Sequence, residues 1–261
     1  MKKTPKLLIL AGTVLAFLFL FGIIFYNNFI KNSIYEENSQ HLLSTYEQVD
    51  KTFTMFVQHN WNALSDWSNN LQYLDDAENM KTLWYDFARR KDAWQYQDFY
   101  MFNENCDFIT AAGRDGNAPN IQGIFLDMYK TGQPVISSYI ASDSNRRIVF
   151  ALPMDVPYTI NGITYSGLAV SYNNDVVEKL IAGNIYQGQS DCYILTSDGN
   201  VLLSLEPKTE FLQKISNLFD FLNKYTNMTE TEITDLKKNI KNVSTGSLQC
   251  RYNNKNYYLV Y

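Results

Sequence analysis

The chain has 261 residues, a formal net charge of −5 and 15% aromatic residues, enough for an anchor plus one elongated domain or two small ones. Three of its 22 basic residues and none of its 27 acidic ones precede residue 26, so the remainder is acidic and ill suited to nucleic acid or anionic lipid. Cys106, Cys192 and Cys250 form no C-x-x-C pair and lie far in sequence from His41 and His59, which argues against zinc, a redox dithiol or a disulfide framework.

Lys2, Lys3 and Lys6 precede an uncharged run from Leu7 to Tyr26, about the ~20 residues a helix needs to cross a bilayer. No small-x-small cleavage pattern follows, so the run reads as an uncleaved anchor. The lysine bias predicts residues 1–6 in the cytoplasm, a transmembrane helix over 7–26 and everything after it outside. Next, Leu42, Tyr46, Val49, Phe53 and Phe56, then Leu64, Trp67, Leu71 and Leu74, form a heptad-like seam with one stutter near Asn60. With no Pro or Gly between 32 and 74, a single long helix is predicted over 31–74. Its seam suits packing on its own domain and a parallel homodimer contact equally.

Asp75-Asp76 ends the seam, and a second amphipathic segment follows from 77 to 91. Alternation then predicts strands at 98–102 and 107–111 around a polar turn, a helix over 121–129 capped by Gly132, and strands at 135–140, 147–152 and 163–172. A loop holding Pro153, Pro157 and the turn Asn161-Gly162 joins the last two strands, and a helix follows at 176–181. Residues 192–204 then align without gaps on 99–111, each copy a strand, a tight turn and a strand. Helical segments at 207–225 and 229–241 precede strands at 247–252 and 256–261, joined by Asn253-Asn254. The fold class is therefore α+β, with two related sheet modules in tandem at 77–183 and 190–261. The second shows four strands where the first shows five, so it is expected to lack its last strand and to belong to a longer chain.

An anchor, a long helix and two PAS-like sheets in tandem resemble the double Cache sensor domains of bacterial receptors. Residues 60–67 (NWNALSDW), 168–180 (LAVSYNNDVVEKL) and 190–203 (SDCYILTSDGNVLL) look like the input domains of clostridial-type membrane sensors. The resemblance implies an extracytoplasmic domain that binds a small molecule in the membrane-distal module and signals across the membrane. In that group the output is commonly a histidine kinase, often a hybrid, and otherwise a diguanylate cyclase. A stand-alone membrane-anchored binding protein is the alternative. The family's amino-acid motif is not reproduced: no R-x-W-Y string exists, and its closing Asp falls near Ser171.

Trp84, Trp94, Tyr100, Tyr139, Phe150 and Tyr172 are either ordinary sheet core or the lining of an aromatic pocket, with Ser137 beside them. Arg147 shares a strand face with Val149 and Ala151, and Arg146 shares one with Ile148 and Phe150. One of the two therefore meets solvent and the other is placed to hold a carboxylate. The predicted ligand site is Trp94, Tyr100, Ser137, Tyr139, Arg146, Arg147, Phe150 and Tyr172, with no metal and no cofactor. Arg114, between Gly113 and Gly116, reads as a solvated turn residue, and His41 and His59 as solvent-facing. No hydrolase, zinc-protease or phosphate-loop motif occurs, so no catalytic residue is assigned.

Overall fold

The computed structural model describes residues 4–71, 73, 77–118, 122–141, 145–181, 192–205 and 215–261. The expectations for Asp75-Asp76, for the junction at 182–191 and for a helix starting at Pro207 lie outside these residues. The apolar run and the seam form one continuous helix, α1 (Thr4–Leu71). Its N-terminal part is long and apolar enough to cross a membrane. Phe17 to Phe21 and Ile23 to Tyr26 are 44–76% exposed, a continuous apolar surface that a water-facing helix does not carry. Farther along, Val49, Leu64, Trp67 and Leu71 are buried in the molecule's own core.

Helix α2 (Ala77–Trp94) leads into an antiparallel sheet of β1 (Asp98–Phe102), β2 (Asp107–Thr110), β3 (Asp115–Asn117), β4 (Val135–Ile140), β5 (Arg146–Ile160) and β6 (Ile163–Asn173), in the order β3-β2-β1-β6-β5-β4. Helices α3 (Gln122–Thr131) and α4 (Asn174–Ile181) complete this first module. Two expectations are corrected. The Pro153–Pro157 stretch is strand rather than loop, because the missing N–H groups are absorbed by a register shift between Pro153 and Tyr158. Arg114 leads into an additional edge strand, β3.

The second module comprises β7 (Cys192–Leu195), β8 (Val201–Leu205), α5 (Leu218–Tyr225), α6 (Glu230–Lys241), β9 (Ser247–Tyr252) and β10 (Lys255–Val260). Its strands form two separate hairpins, β7–β8 and β9–β10. The sequence repeat is physical. Asn103 N donates to Asp107 O and Cys106 N to Asn103 O, while 93 residues on Thr196 N donates to Asn200 O and Gly199 N to Thr196 O. Cys106 (φ 63°) and Gly199 (φ 82°) occupy the same left-handed corner. In each copy one asparagine locks the turn: Asn117 Nδ2 donates to Asn105 O and Asp107 Oδ1, and Asn217 Nδ2 to Asp198 O and Asn200 Oδ1.

Candidate functional site

Strand pairing fixes which side chains share a face of the six-stranded sheet. One face carries Ile136, Phe150, Val170 and Phe99 in a row, flanked by Ser138, Ile148 and Tyr172 and by Leu152, Leu168, Met101 and Ile109. These residues meet α1, α2 and α4 in the main core. Phe56 packs on both Phe150 and Tyr172, with ring centroids 5.4 and 5.0 Å apart.

The opposite face changes character along the strands. Its lower half is apolar and packs on α3, where Phe102 stacks on Phe125 at 3.8 Å and Tyr129 donates to the Phe102 carbonyl. Its upper half is polar. Tyr139, Arg147 and Asn173 form one row, and Ser137, Val149, Ser171 and Asp98 form the next. Tyr100 and Thr110 continue a third beside Ala151 and Ala169.

Asp98 is the electrostatic centre of this polar half. Its side chain is 18% exposed and lies 3.6 Å from the Arg147 guanidinium and 3.1 Å from that of Arg114. Ser171 is fully buried, yet its Oγ has no hydrogen-bond partner among the described residues; Asn173 Oδ1 is in the same position. The Tyr100 hydroxyl lies near that of Tyr139 without a well-formed hydrogen bond. Burial above all, then the neighbouring Tyr139 and Asp98, hold it protonated well above the usual tyrosine range. Buried polar atoms left unbonded cost roughly 1–3 kcal/mol each. Three on one face, beside two guanidinium groups and a carboxylate, describe a surface prepared for a polar ligand.

The structure thus divides the eight predicted site residues. Tyr100, Ser137, Tyr139 and Arg147 lie together on the polar face. Phe150 and Tyr172 point into the helix-covered core. Trp94, at the end of α2, stacks on His59 of α1 with centroids 4.0 Å apart. Arg146 turns toward the second module, where Nη1 donates to Ser138 Oγ and to the Val201 carbonyl, both at 3.1 Å. Sequence reasoning missed Asp98 and Asn173, and met Ser171 only through the family motif. The readable signal was strand parity, since all three fall in phase with Tyr100 or Arg147 once the strands are paired. Arg114, read as a solvated turn residue, is largely exposed but reaches back to Asp98.

Apart from this face, a cavity of about 210 Å³ lies beside the β7–β8 turn and is lined by Asp198, Asn217, Phe219, Lys237 and Lys241 among others. Its ion pair, Lys241 to Asp198 at 3.7 Å, is exposed on both sides and contributes little. No group of three or more potential metal-ligating side chains occurs among the described residues.

No known family model matches the sequence, and no curated protein matches it. Solved structures do. The sensory domain of the Campylobacter jejuni chemoreceptor Tlp3 with isoleucine bound superposes with a TM-score of 0.53 at 11% identity, covering 87% of this chain and 89% of that one. The extracellular domain of mmHK1S-Z3, described as a histidine kinase, gives 0.57 at 12% identity over 83% and 86% of the two chains. The ligand-binding domain of the Pseudomonas aeruginosa amino-acid chemoreceptor PctB, in complex with L-glutamine, gives 0.53 at 12% over 84% and 80%. The fold is the one these sensory domains share. It is α+β, a long N-terminal helix followed by an antiparallel sheet. At this level of identity the likeness establishes the fold and leaves the ligand to the chemistry of the site.

Proposed function

We propose that the chain is the extracytoplasmic ligand-sensing input domain of a membrane receptor, anchored by the apolar end of α1. The ligand binds the polar face of the first, membrane-distal module (77–183), and the second module (190–261) stands nearer the membrane. The observation that carries this reading is the set of unbonded buried polar atoms at Tyr100, Ser171 and Asn173, gathered around Asp98 and Arg147.

The same set describes the ligand. A guanidinium favours a carboxylate, and Asp98 favours a donor, so a small molecule carrying both an acid and an amine fits best. Asp98 lies directly opposite Ser171 in the β1–β6 register. The acid that the family motif carries at the Ser171 position therefore comes from the neighbouring strand. Similarity to domains solved with isoleucine and L-glutamine supports this choice. Signalling through α1 as a homodimer to a histidine kinase output completes the proposal, supported by the likeness to the mmHK1S-Z3 domain.

A thermal-shift screen of the detergent-solubilised chain against the L-amino acids and small dicarboxylates tests it. A ligand at a hundred times its Kd stabilises by about 2.7 kcal/mol. The shift should vanish in Asp98→Asn and Arg147→Ala and persist in Phe150→Leu, whose side chain lies on the other face. A shift that survives both polar substitutions refutes the site.

A further inference from the structure

The seam of α1 contains one polar residue that its apolar pattern passes over. Asn60 fills the stutter between Phe56 and Leu64 and is fully buried. Its Nδ2 donates to the Phe56 carbonyl one turn back at 2.9 Å, and its Oδ1 accepts from the Tyr172 hydroxyl at 2.8 Å. Tyr172 sits in β6 between Ser171 and Asn173. Because strand side chains alternate, those two face the proposed ligand while Tyr172 faces the helix. Three consecutive residues therefore link the ligand face to α1, the element that runs on into the membrane segment.

We propose that the Tyr172–Asn60 hydrogen bond is the contact through which the state of the ligand face is felt by α1. The inference rests on the site reading above. Buried polar pairs behave discretely. Made, the bond fixes one register of helix on sheet; broken, it leaves two buried groups unbonded, and the helix must shift or admit water to satisfy them. A contact with two distinct states can convert a small displacement of β6 into a choice between two positions of α1. The surrounding rings hold the bond in place: Tyr172 lies 5.0 Å from Phe56 and 5.1 Å from Tyr96, centroid to centroid. Burial, reinforced by Tyr96, keeps the Tyr172 hydroxyl protonated far above the ordinary range, so it serves as a donor at every physiological pH.

The test needs no identified ligand. Asp98→Asn, close to isosteric, disturbs the ligand face without touching α1, and Arg147→Ala is a second disturbance of the same face. Hydrogen exchange of residues 53–64 is measured on the full chain in nanodiscs, with and without Tyr172→Phe. Asp98→Asn should change exchange in that helical segment by more than about twofold, the scatter expected of independent sites. In the Tyr172→Phe background that response should disappear. A merely structural Tyr172 would raise helix exchange by itself and leave the response to Asp98→Asn intact. That result overturns the proposal, as does a helix that responds to neither disturbance. A ligand screen that fails while this response holds would refute the ligand chemistry and spare the relay.

Discussion

The strand–turn–strand at 99–111 and its copy at 192–204 close their turns with the same bonds, yet they enter different sheets. In the first module β6 lies between β1 and β5 and joins two hairpins into one surface, with a helix-packed face and a polar face. In the second, β7–β8 and β9–β10 stay as separate ladders among the described residues. Tyr193 and Leu195 of the one and Leu248 and Tyr257 of the other pack on a shared core that includes Phe219, Leu222, Ile233 and Leu236 of α5 and α6. Turn chemistry is local and travels with a short repeat. A ligand face needs a central strand, and that depends on long-range pairing. The repeat accordingly reproduces the turn, while the six-stranded sheet and its polar face belong to the first module among the described residues.

The largest expected contrast is in backbone protection. Gly246 and Tyr261 exchange both of their hydrogen bonds, so alternate residues of β10, namely Asn256, Tyr258 and Val260, direct their N–H groups away from β9. Amides at the centre of β6 should exchange only through global unfolding, and these three through local opening, orders of magnitude faster. Equal protection would mean that another strand covers the β10 edge, and the comparison would fail. A smaller effect concerns how the modules hold together. Arg146→Met removes a charged donor from the Val201 carbonyl, at a cost of roughly 1.5–3 kcal/mol. Calorimetry should show one unfolding transition for the parent chain and two for the variant; one unchanged peak would show that Arg146 does not couple the modules.

The smallest effect is alkaline. Burial pushes the Cys192 thiol up to about 11 from an ordinary value of 9.0. The unfolded chain therefore releases this proton first, and stability falls as pH rises from 9 towards 11, by about 1 kcal/mol at pH 10. Well below pH 9 the thiol is neutral in both states and has no effect. The buried hydroxyls of Tyr96, Tyr100 and Tyr172 act in the same direction above pH 10. Cys192→Ala should flatten the pH 9–10 part of a urea-denaturation series; an unaltered slope would place that thiol in water.

Much of the fold was legible because its signals are local. Asn161-Gly162 and Asn253-Asn254 announce hairpin turns, and all four residues have the positive φ such turns require. Gly132 caps α3, its N–H bonded to the Met128 carbonyl. Strand β3 was hidden because Asp115-Gly116-Asn117 carries no apolar residue; it is strand only by pairing with β2. Strand parity put Arg146 and Arg147 on opposite faces, as the pairing has them, but the expectation that one meets solvent fails: Arg147 is mostly covered and Arg146 is bonded to Ser138 and the Val201 carbonyl. Parity could not say which face was polar, because helices cover part of both. Phe150 and Tyr172 were therefore grouped with Tyr139, although they point the other way. Asn60 was invisible for a simpler reason: a polar residue in an apolar seam looks like a gap until its partner, 112 residues on, is in place.

The unbroken length of α1 bears on what the proposed site could discriminate. With residues 7–26 in a bilayer, Asn60 stands 34 residues beyond the span, about 50 Å at 1.5 Å per residue. The field of anionic headgroups decays over roughly 8 Å in physiological salt. Asp98, Arg114 and Arg147, held at that height, are electrically blind to the lipid below them. The ions they attract are those of the bulk medium, and a change in membrane composition should leave the apparent affinity untouched.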